Sequence, residues 1–139
     1  PNIFMSFPHL RVRVLGIMLY ITGAKGFLHW GFNFYHTALS LRHIDPYRSC
    51  DGGETFPAGD PFVVYPDGGL GVYSSVRQEI FTLAMQDYRL LQTADRLFGR
   101  AWVLSLLHRH GFRSLTDYTH TESDFDALQY ELNIAIAKK

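Results

Sequence analysis

The stretch from Gly26 to Tyr35, GFLHWGFNFY, carries the side chains with the clearest chemical potential in the sequence. It holds five aromatic rings, one histidine and one asparagine within ten residues. Aromatic faces stack on planar ligands and on the apolar faces of sugar rings, while asparagine, histidine and tyrosine exchange hydrogen bonds with hydroxyl groups. This composition indicates one wall of a pocket for a planar ligand or a sugar.

If the stretch is a strand, its side chains alternate between two faces. One face then carries Phe27, His29, Gly31, Asn33 and Tyr35, and the other carries Leu28, Trp30, Phe32 and Phe34. A strand histidine such as His29 is more often a packing residue than a catalyst. Trp30 belongs to the apolar core face unless a bulge near Gly31 turns it inward. For Asn33 and Tyr35, packing and ligand binding both stay open.

The acidic residues favour structural roles. Asp45 and Asp60 each precede a proline, as turn-forming aspartates do. Asp87 lies inside a helical pattern, where a carboxylate is solvated or paired, here with Arg77 or Arg89. Among the seven histidines there is no His-x-x-x-His spacing, and no cysteine pair exists. We therefore expect no metal site and no cofactor.

Composition narrows the class of protein. The chain has 139 residues, 13 basic and 13 acidic, so its formal charge is zero. A neutral surface makes nucleic acid or an anionic membrane an unexpected partner. Cys50 is the single cysteine and the apolar runs are too short to span a membrane. We expect one soluble segment over residues 1–139, preceded by a segment that has been removed; whether it is cytoplasmic or secreted depends on that segment.

The hydrophobic pattern predicts four helices and two strands. The helices are expected at about Phe7–Thr22, Val76–Leu97, Arg100–Arg109 and Glu122–Ala137, with S-x-x-Q and T-x-x-E capping boxes at Ser75 and Thr119. Gly16 inside the first helix indicates close approach of another element. The strands are expected at Gly26–Tyr35, buried on both faces as in a parallel sheet, and at Pro61–Tyr65. A long loop with one helical turn near Thr37–Leu41 joins them.

Two strands cannot form an independent parallel sheet with both faces covered. The chain is therefore predicted to be the end of a larger α/β domain whose other strands precede residue 1. An incomplete sheet leaves an edge and apolar faces uncovered. We expect the isolated chain to oligomerise, to exchange elements with a second copy, or to pack on a partner chain.

Four blocks in order resemble the C-terminal part of the catalytic domain of glycoside hydrolase family 123 and its relatives. They are GFLHWGFNFY, a DPY loop, GDPFVVYPDGG and SSVRQEIFTLAMQDYRLL, and they span about Arg11 to Leu97. The matching positions are Gly26, Phe27, Leu28, Trp30, Gly31, Asn33, Asp45, Pro46, Tyr65, Pro66, Arg77, Glu79, Asp87 and Tyr88.

The resemblance implies the C-terminal portion of a (β/α)8 barrel that removes terminal β-linked N-acetylgalactosamine by a retaining, substrate-assisted route. In that route the acetamido oxygen of the sugar is the nucleophile and an adjacent Asp-Glu pair supplies the acid and the orienting carboxylate. No Asp-Glu dipeptide occurs in this sequence. The resemblance therefore assigns this chain a share of the sugar pocket, formed by Trp30, Asn33, Tyr35 and Tyr65, with His29 a weaker candidate.

Arg77, Glu79 and Asp87 are assigned to structural pairing. A non-catalytic carbohydrate-binding or structural module is the alternative, because a fold does not fix a function.

Overall fold

The computed structural model describes residues 2–139 as a mixed α/β structure with four α-helices and one two-stranded sheet. The elements are α1 (Leu10–Thr22), β1 (Val64–Pro66), β2 (Val72–Ser74), α2 (Val76–Phe98), α3 (Arg100–Arg109) and α4 (Glu122–Ala137). In the described part of the chain, no helix is long and apolar enough to cross a membrane.

The chain forms two compact units. The loop unit contains the described residues up to Val12 and Leu28–Phe81. The helical unit contains Arg13–Phe27 and Thr82–Lys139.

Gly16 explains how two helices of the helical unit come together. A Cβ atom at Gly16 would lie 1.9 Å from the carbonyl oxygen of Ala84 and 3.3 Å from the amide nitrogen of Tyr88. The backbones of α1 and α2 therefore touch where any side chain would intervene, which confirms the close approach expected at this glycine. Helix α1 ends just before Gly23, as predicted, and the φ of 71° at Gly23 suits a C-terminal glycine.

The other helix boundaries agree closely with the sequence pattern. Ser75 Oγ accepts a hydrogen bond from the Gln78 amide at 3.2 Å, which confirms the N-cap of α2. The capping box predicted for α4 is wrong. Thr119 and Thr121 donate their hydroxyls to the Asp124 carboxylate, so the first turn of α4 is closed through Asp124 and not through Glu122.

A buried charge pair lies in the core of the helical unit. Arg13 Nε donates to Asp87 at 3.1 Å, and both side chains are more than nine-tenths buried. The Gln129 amide also donates to Asp87, at 3.3 Å. Burial raises the pKa of the Asp87 carboxyl, and the Arg13 guanidinium opposes that rise. Asp87 is structural as expected, but its partner is Arg13 rather than Arg77 or Arg89.

The stretch Gly26–Tyr35 is not a strand, which corrects the prediction. Only Asn33 forms an isolated antiparallel bridge, with Phe62. Pro61 has no N–H to donate, so the ladder cannot extend past it. The stretch is not buried on both faces either, because Leu28 is 84% exposed and Trp30 is 47% exposed.

The second predicted strand belongs to an antiparallel hairpin. β1 pairs with β2 in the register Val64–Ser74, Tyr65–Tyr73 and Pro66–Val72. The Asp67 carboxylate closes the turn by accepting the amides of Gly69 at 2.8 Å and Gly71 at 3.2 Å. The sequence pattern predicted a parallel sheet, which is wrong, and it did not predict the strand β2. The glycine-rich turn reverses the chain, so β1 finds its partner locally.

Arg77 organises the loop unit from inside. Its side chain is 4% exposed and donates to three backbone carbonyls, those of Ile3, Gly59 and Phe62. Nearby, Ile3, Val12 and Val63 form a small apolar core against Ile80 and Phe81. Arg77 is structural as expected, but it bonds to the backbone rather than to a carboxylate.

Candidate functional site

Asp60 positions the first part of the aromatic stretch. Its carboxylate accepts a hydrogen bond from the Trp30 indole N–H at 3.0 Å. Its backbone carbonyl lies 3.1 Å from Nε2 of His29. A Cβ atom at Gly31 would lie 2.4 Å from that same carbonyl oxygen, so the glycine in the middle of the stretch allows the two loops to meet. Asp60 is thus a specific anchor and not only a turn former.

Trp30 is about half exposed, and its polar atom is occupied. The indole lies 4.8 Å from the Phe56 ring and 5.5 Å from the Phe34 ring, measured between centroids. With its N–H bound to Asp60, Trp30 offers apolar surface for stacking and no free donor. This exposed position differs from the core position that regular alternation assigned to it.

Tyr35 and Tyr65 meet through Phe62. The centroid of the Phe62 ring lies 5.4 Å from that of Tyr35 and 5.3 Å from that of Tyr65. The Tyr35 hydroxyl donates to the Val64 carbonyl at 2.9 Å. Although no shared strand holds them, the structure brings these two predicted site residues onto one aromatic residue.

Two further tyrosines join this group, and sequence reasoning missed both. The Tyr47 ring lies 5.5 Å from the Tyr65 ring, and its hydroxyl donates to the Pro66 carbonyl. Tyr73 is the cross-strand partner of Tyr65 and is 61% exposed. We call Tyr35, Tyr47, Tyr65 and Tyr73 the tyrosine cluster. The alternation Val72-Tyr73-Ser74 after a glycine turn, and the tyrosine of the DPY loop, were the available signals.

Two members of the tyrosine cluster, Tyr35 and Tyr47, have raised pKa values. Burial raises the pKa of Tyr35, and Tyr47 and Tyr65 raise it further. The pKa of Tyr47 is also raised, through loss of solvation and through the neighbouring Tyr73 and Asp67. Neutral phenols both donate and accept hydrogen bonds, which suits hydroxyl-rich ligands.

Tyr65 also lines a cleft of the loop unit. The cleft has a volume of about 270 Å³ and is formed by Met5, His9, Tyr65, Ser75, Val76 and Arg77. Small-ligand pockets start at about 300 Å³, so this cleft is of the size that holds one small group. Tyr65 thus reaches a concave surface of the loop unit.

The predicted site residues fall into two neighbouring groups. His29 and Trp30 contact Asp60, whereas Tyr35 and Tyr65 contact Phe62. Asn33 is exposed and connects to Phe62 through its backbone bridge. The two groups therefore lie at either end of the short segment 60–62.

The carboxylates near these groups are occupied by the loops. Asp45 accepts the Tyr47 amide at 2.9 Å, which confirms its turn-forming role. Asp60 holds Trp30, and Asp67 closes the hairpin turn. Among the described residues, no three His, Cys, Asp or Glu side chains are grouped as metal ligands.

The aromatic site lies in the part of the chain that a known family covers. Residues 1–94 match the family described as glycoside hydrolase 123, catalytic domain, which is more than half of the 139 residues. The chain belongs to this glycoside hydrolase family, which implies a carbohydrate substrate. No curated protein shows a significant match to the chain.

Proposed function

We propose that this chain is the C-terminal portion of a (β/α)8-barrel glycoside hydrolase that releases terminal β-linked N-acetylgalactosamine. The reaction retains the anomeric configuration and uses the acetamido oxygen of the substrate as nucleophile, a known departure from the usual scheme of two carboxylates. The observation that carries the proposal is the family match over residues 1–94, which contains both aromatic groups of the site.

The tyrosine cluster and Trp30 supply part of the sugar pocket. Trp30 is half-exposed, and its indole suits stacking on the apolar face of a pyranose. The tyrosine hydroxyls suit hydrogen bonding to sugar hydroxyls, and Tyr65 lines the cleft. Asn33 is exposed beside Phe62, and His29 faces Asp60, so Asn33 is the better polar candidate of the two.

The chain contributes binding groups rather than the catalytic acid. Asp45, Asp60 and Asp67 each accept hydrogen bonds that hold a loop or a side chain in place. Each of these carboxylates thus has a structural partner within the loops, and the adjacent Asp-Glu pair that the family uses for catalysis does not occur in this sequence. We therefore assign substrate recognition to this chain and no catalytic residue.

Hydrolysis of p-nitrophenyl β-N-acetylgalactosaminide by the full-length protein tests the proposal. Tyr65→Ala is expected to lower kcat/KM about tenfold or more, equivalent to about 1.4 kcal/mol of lost binding, and Tyr65→Phe less. The matched control is Tyr130→Ala, because Tyr130 is 71% exposed in α4 and outside the family match. Equal losses in Tyr65→Ala and Tyr130→Ala would refute the pocket assignment.

Because these carboxylates are hydrogen-bonded within the loops, a second candidate function is a carbohydrate-binding module without turnover. That reading predicts no hydrolysis, but binding of N-acetylgalactosamine that Tyr65→Ala weakens and Tyr130→Ala does not. Proton-detected saturation transfer to the sugar measures this binding directly. A structural module predicts neither hydrolysis nor binding.

Self-association is a separate part of the proposal. The exposed apolar residues Leu70, Val72 and Tyr73 lie on the hairpin turn and on β2, a strand with one paired edge. Such edges favour pairing with another chain. Sedimentation of the chain over a range of concentrations should show a species larger than 15.9 kDa. A single monomeric species at all concentrations would contradict this.

A further inference from the structure

The loop that follows His36 forms an open, polar cavity that the proposed function does not use. Its volume is about 510 Å³. The lining residues are Arg42, Arg48, Ser49, Cys50, Asp51, Gly53 and Glu54. Two exposed arginines, Arg42 and Arg48, therefore line one open cavity within the loop unit together with the acidic residues Asp51 and Glu54.

Neither guanidinium forms an ion pair within the described part of the chain. The ion pairs there involve Arg13, Arg109 and Arg113, and neither Arg42 nor Arg48 makes an ion pair or a side-chain hydrogen bond. Guanidinium groups carry five donors in a planar fork that matches carboxylate, phosphate and sulfate oxygens. The donors of both arginines are available to a ligand.

The aspartate of the cavity serves the loop itself. Asp51 Oδ1 accepts hydrogen bonds from Ser49 Oγ at 2.9 Å, the Glu54 amide at 3.0 Å and the Gly53 amide at 3.1 Å. The Glu54 amide, followed by the Ser49 hydroxyl, holds the pKa of Asp51 below its usual range. Asp51 shapes the cavity wall and is not the partner of either arginine.

Hydrogen bonds within the loop hold the backbone of both arginines. Thr37 and Arg42 are joined by an amide-to-carbonyl bond of 2.9 Å and by a bond of 3.1 Å from the Arg42 amide to the Thr37 hydroxyl. The Arg48 amide donates to the Asp45 carbonyl at 3.0 Å. Leu39 and Glu54 have φ values of 58° and 65°, which cost energy in residues with a side chain. Such conformations cluster at ligand-binding segments.

We infer that Arg42 and Arg48 bind an oxyanion carried by the glycan substrate, a sulfate ester or a carboxylate. The cavity is polar, it presents two unpaired guanidinium groups, and its loop is tied by side-chain bonds. The inference rests on the proposed function for the identity of the ligand, but the anion site itself does not. It narrows the substrate class to acidic glycans.

The first experiment tests the anion site alone. Inorganic sulfate is titrated into the full chain at low ionic strength, and the arginine Nε–H resonances are followed by NMR. Arg42→Gln and Arg48→Gln should each weaken sulfate binding about tenfold or more, because each removes charge-assisted hydrogen bonds. Arg89→Gln is the matched control, since Arg89 is exposed in α2 and outside the cavity. Equal binding in all three variants overturns the site.

The second experiment tests the source of the oxyanion. Binding of N-acetylgalactosamine is compared with that of its 6-sulfate and with that of glucuronate. The proteins are the wild type and the variants Arg42→Gln, Arg48→Gln and Arg89→Gln. An advantage of either acidic sugar that is lost in Arg42→Gln and Arg48→Gln supports the inference and identifies the group. An advantage that persists in both variants overturns it.

The failure of the two proposals can be told apart. If inorganic sulfate binds through the arginines but no sugar binds, the anion site stands and the glycan assignment fails. If N-acetylgalactosamine binds but neither sulfate nor the acidic sugars depend on the arginines, the proposed function stands and this inference fails. Circular dichroism should show unchanged melting for the glutamine variants, because neither side chain makes a bond in the fold.

Discussion

The two units of the molecule treat a buried arginine in opposite ways. In the helical unit, Arg13 pairs with the carboxylates of Asp87 and Asp126. In the loop unit, Arg77 bonds to three backbone carbonyls and to no acidic side chain in the described chain. An arginine side chain thus neutralises buried negative charge in one unit and crosslinks loop segments in the other.

The difference follows from what the backbone leaves unpaired. Inside a helix the carbonyls are already bonded to amides four residues on, which favours pairing between side chains, as between Tyr20 and Asp95 at 2.9 Å. Irregular loops leave carbonyls and amides to be satisfied by side chains. Arg100 supports the rule from within the helical unit, because it donates to the carbonyls of Tyr20 and Ile21 at the end of α1, where helical partners are missing.

Replacing Arg77 should produce the largest effect. Arg77→Ala leaves three buried carbonyls without a donor, and each such loss costs about 1–3 kcal/mol, so we expect a loss of about 3–5 kcal/mol in the free energy of unfolding. Urea unfolding measures the loss, with the exposed Arg89→Ala as control at about 0.5 kcal/mol or less. If Arg77→Ala behaved like Arg89→Ala, the comparison between the units would fail.

Gly16→Ala tests the backbone contact of the helical unit. The new methyl group would lie 1.9 Å from the Ala84 carbonyl oxygen, so α1 or α2 must move. We expect a loss of about 2–3 kcal/mol by overpacking. Gly26→Ala is the matched control, because a Cβ there meets nothing within 4 Å. Thermal unfolding that ranks the two variants equally would contradict the contact.

Tyr20→Phe should change how stability depends on alkaline pH. Burial, helped by Asp95, raises the pKa of Tyr20 above its unfolded value of about 10. A group with a raised folded pKa contributes stability that is complete below the unfolded pKa and is lost as pH rises above it. The wild type should therefore lose more stability above pH 10 than the variant. Tyr130→Phe, at an exposed tyrosine, serves as the reference in denaturant titrations at several pH values.

Asp124→Asn should give the smallest effect, at acidic pH. The hydroxyl of Thr119, followed by that of Thr121, lowers the pKa of Asp124. A lowered folded pKa means that the stabilisation is present above the unfolded pKa and disappears as pH falls through the folded pKa. The wild type should lose this increment between pH 4 and lower pH, whereas the variant has none to lose. Parallel acid-unfolding curves would argue against the Thr119–Asp124 closure of α4.

The helical unit was largely predictable because its signals are local. The stop at Gly23 and the close approach at Gly16 are each indicated by a glycine within a short helical pattern. The partner of Asp87 was not, since Arg13 is 74 residues away in the sequence. Local spacing predicts that a carboxylate needs a partner but does not identify a distant one.

The loop unit was less predictable because long-range bonds shape it. Alternating aromatic residues indicated a strand at Gly26–Tyr35, but the bond from Trp30 to Asp60 joins positions 30 residues apart and no residue pattern announces it. The sequence did suggest Tyr35 and Tyr65, which both contact Phe62. Whether they bind a sugar stays a prediction.

The hydrogen bond between Trp30 and Asp60 also makes the intrinsic fluorescence of Trp30 a probe of the site. The chain contains two tryptophans, Trp30 in the loop unit and Trp102 in the helical unit. Trp102→Phe would leave one fluorophore, half-exposed and hydrogen-bonded to a carboxylate whose charge shifts indole emission. A sugar ring stacked on Trp30 would displace water from the indole and shift its emission wavelength. Ligand binding could then be followed without a label.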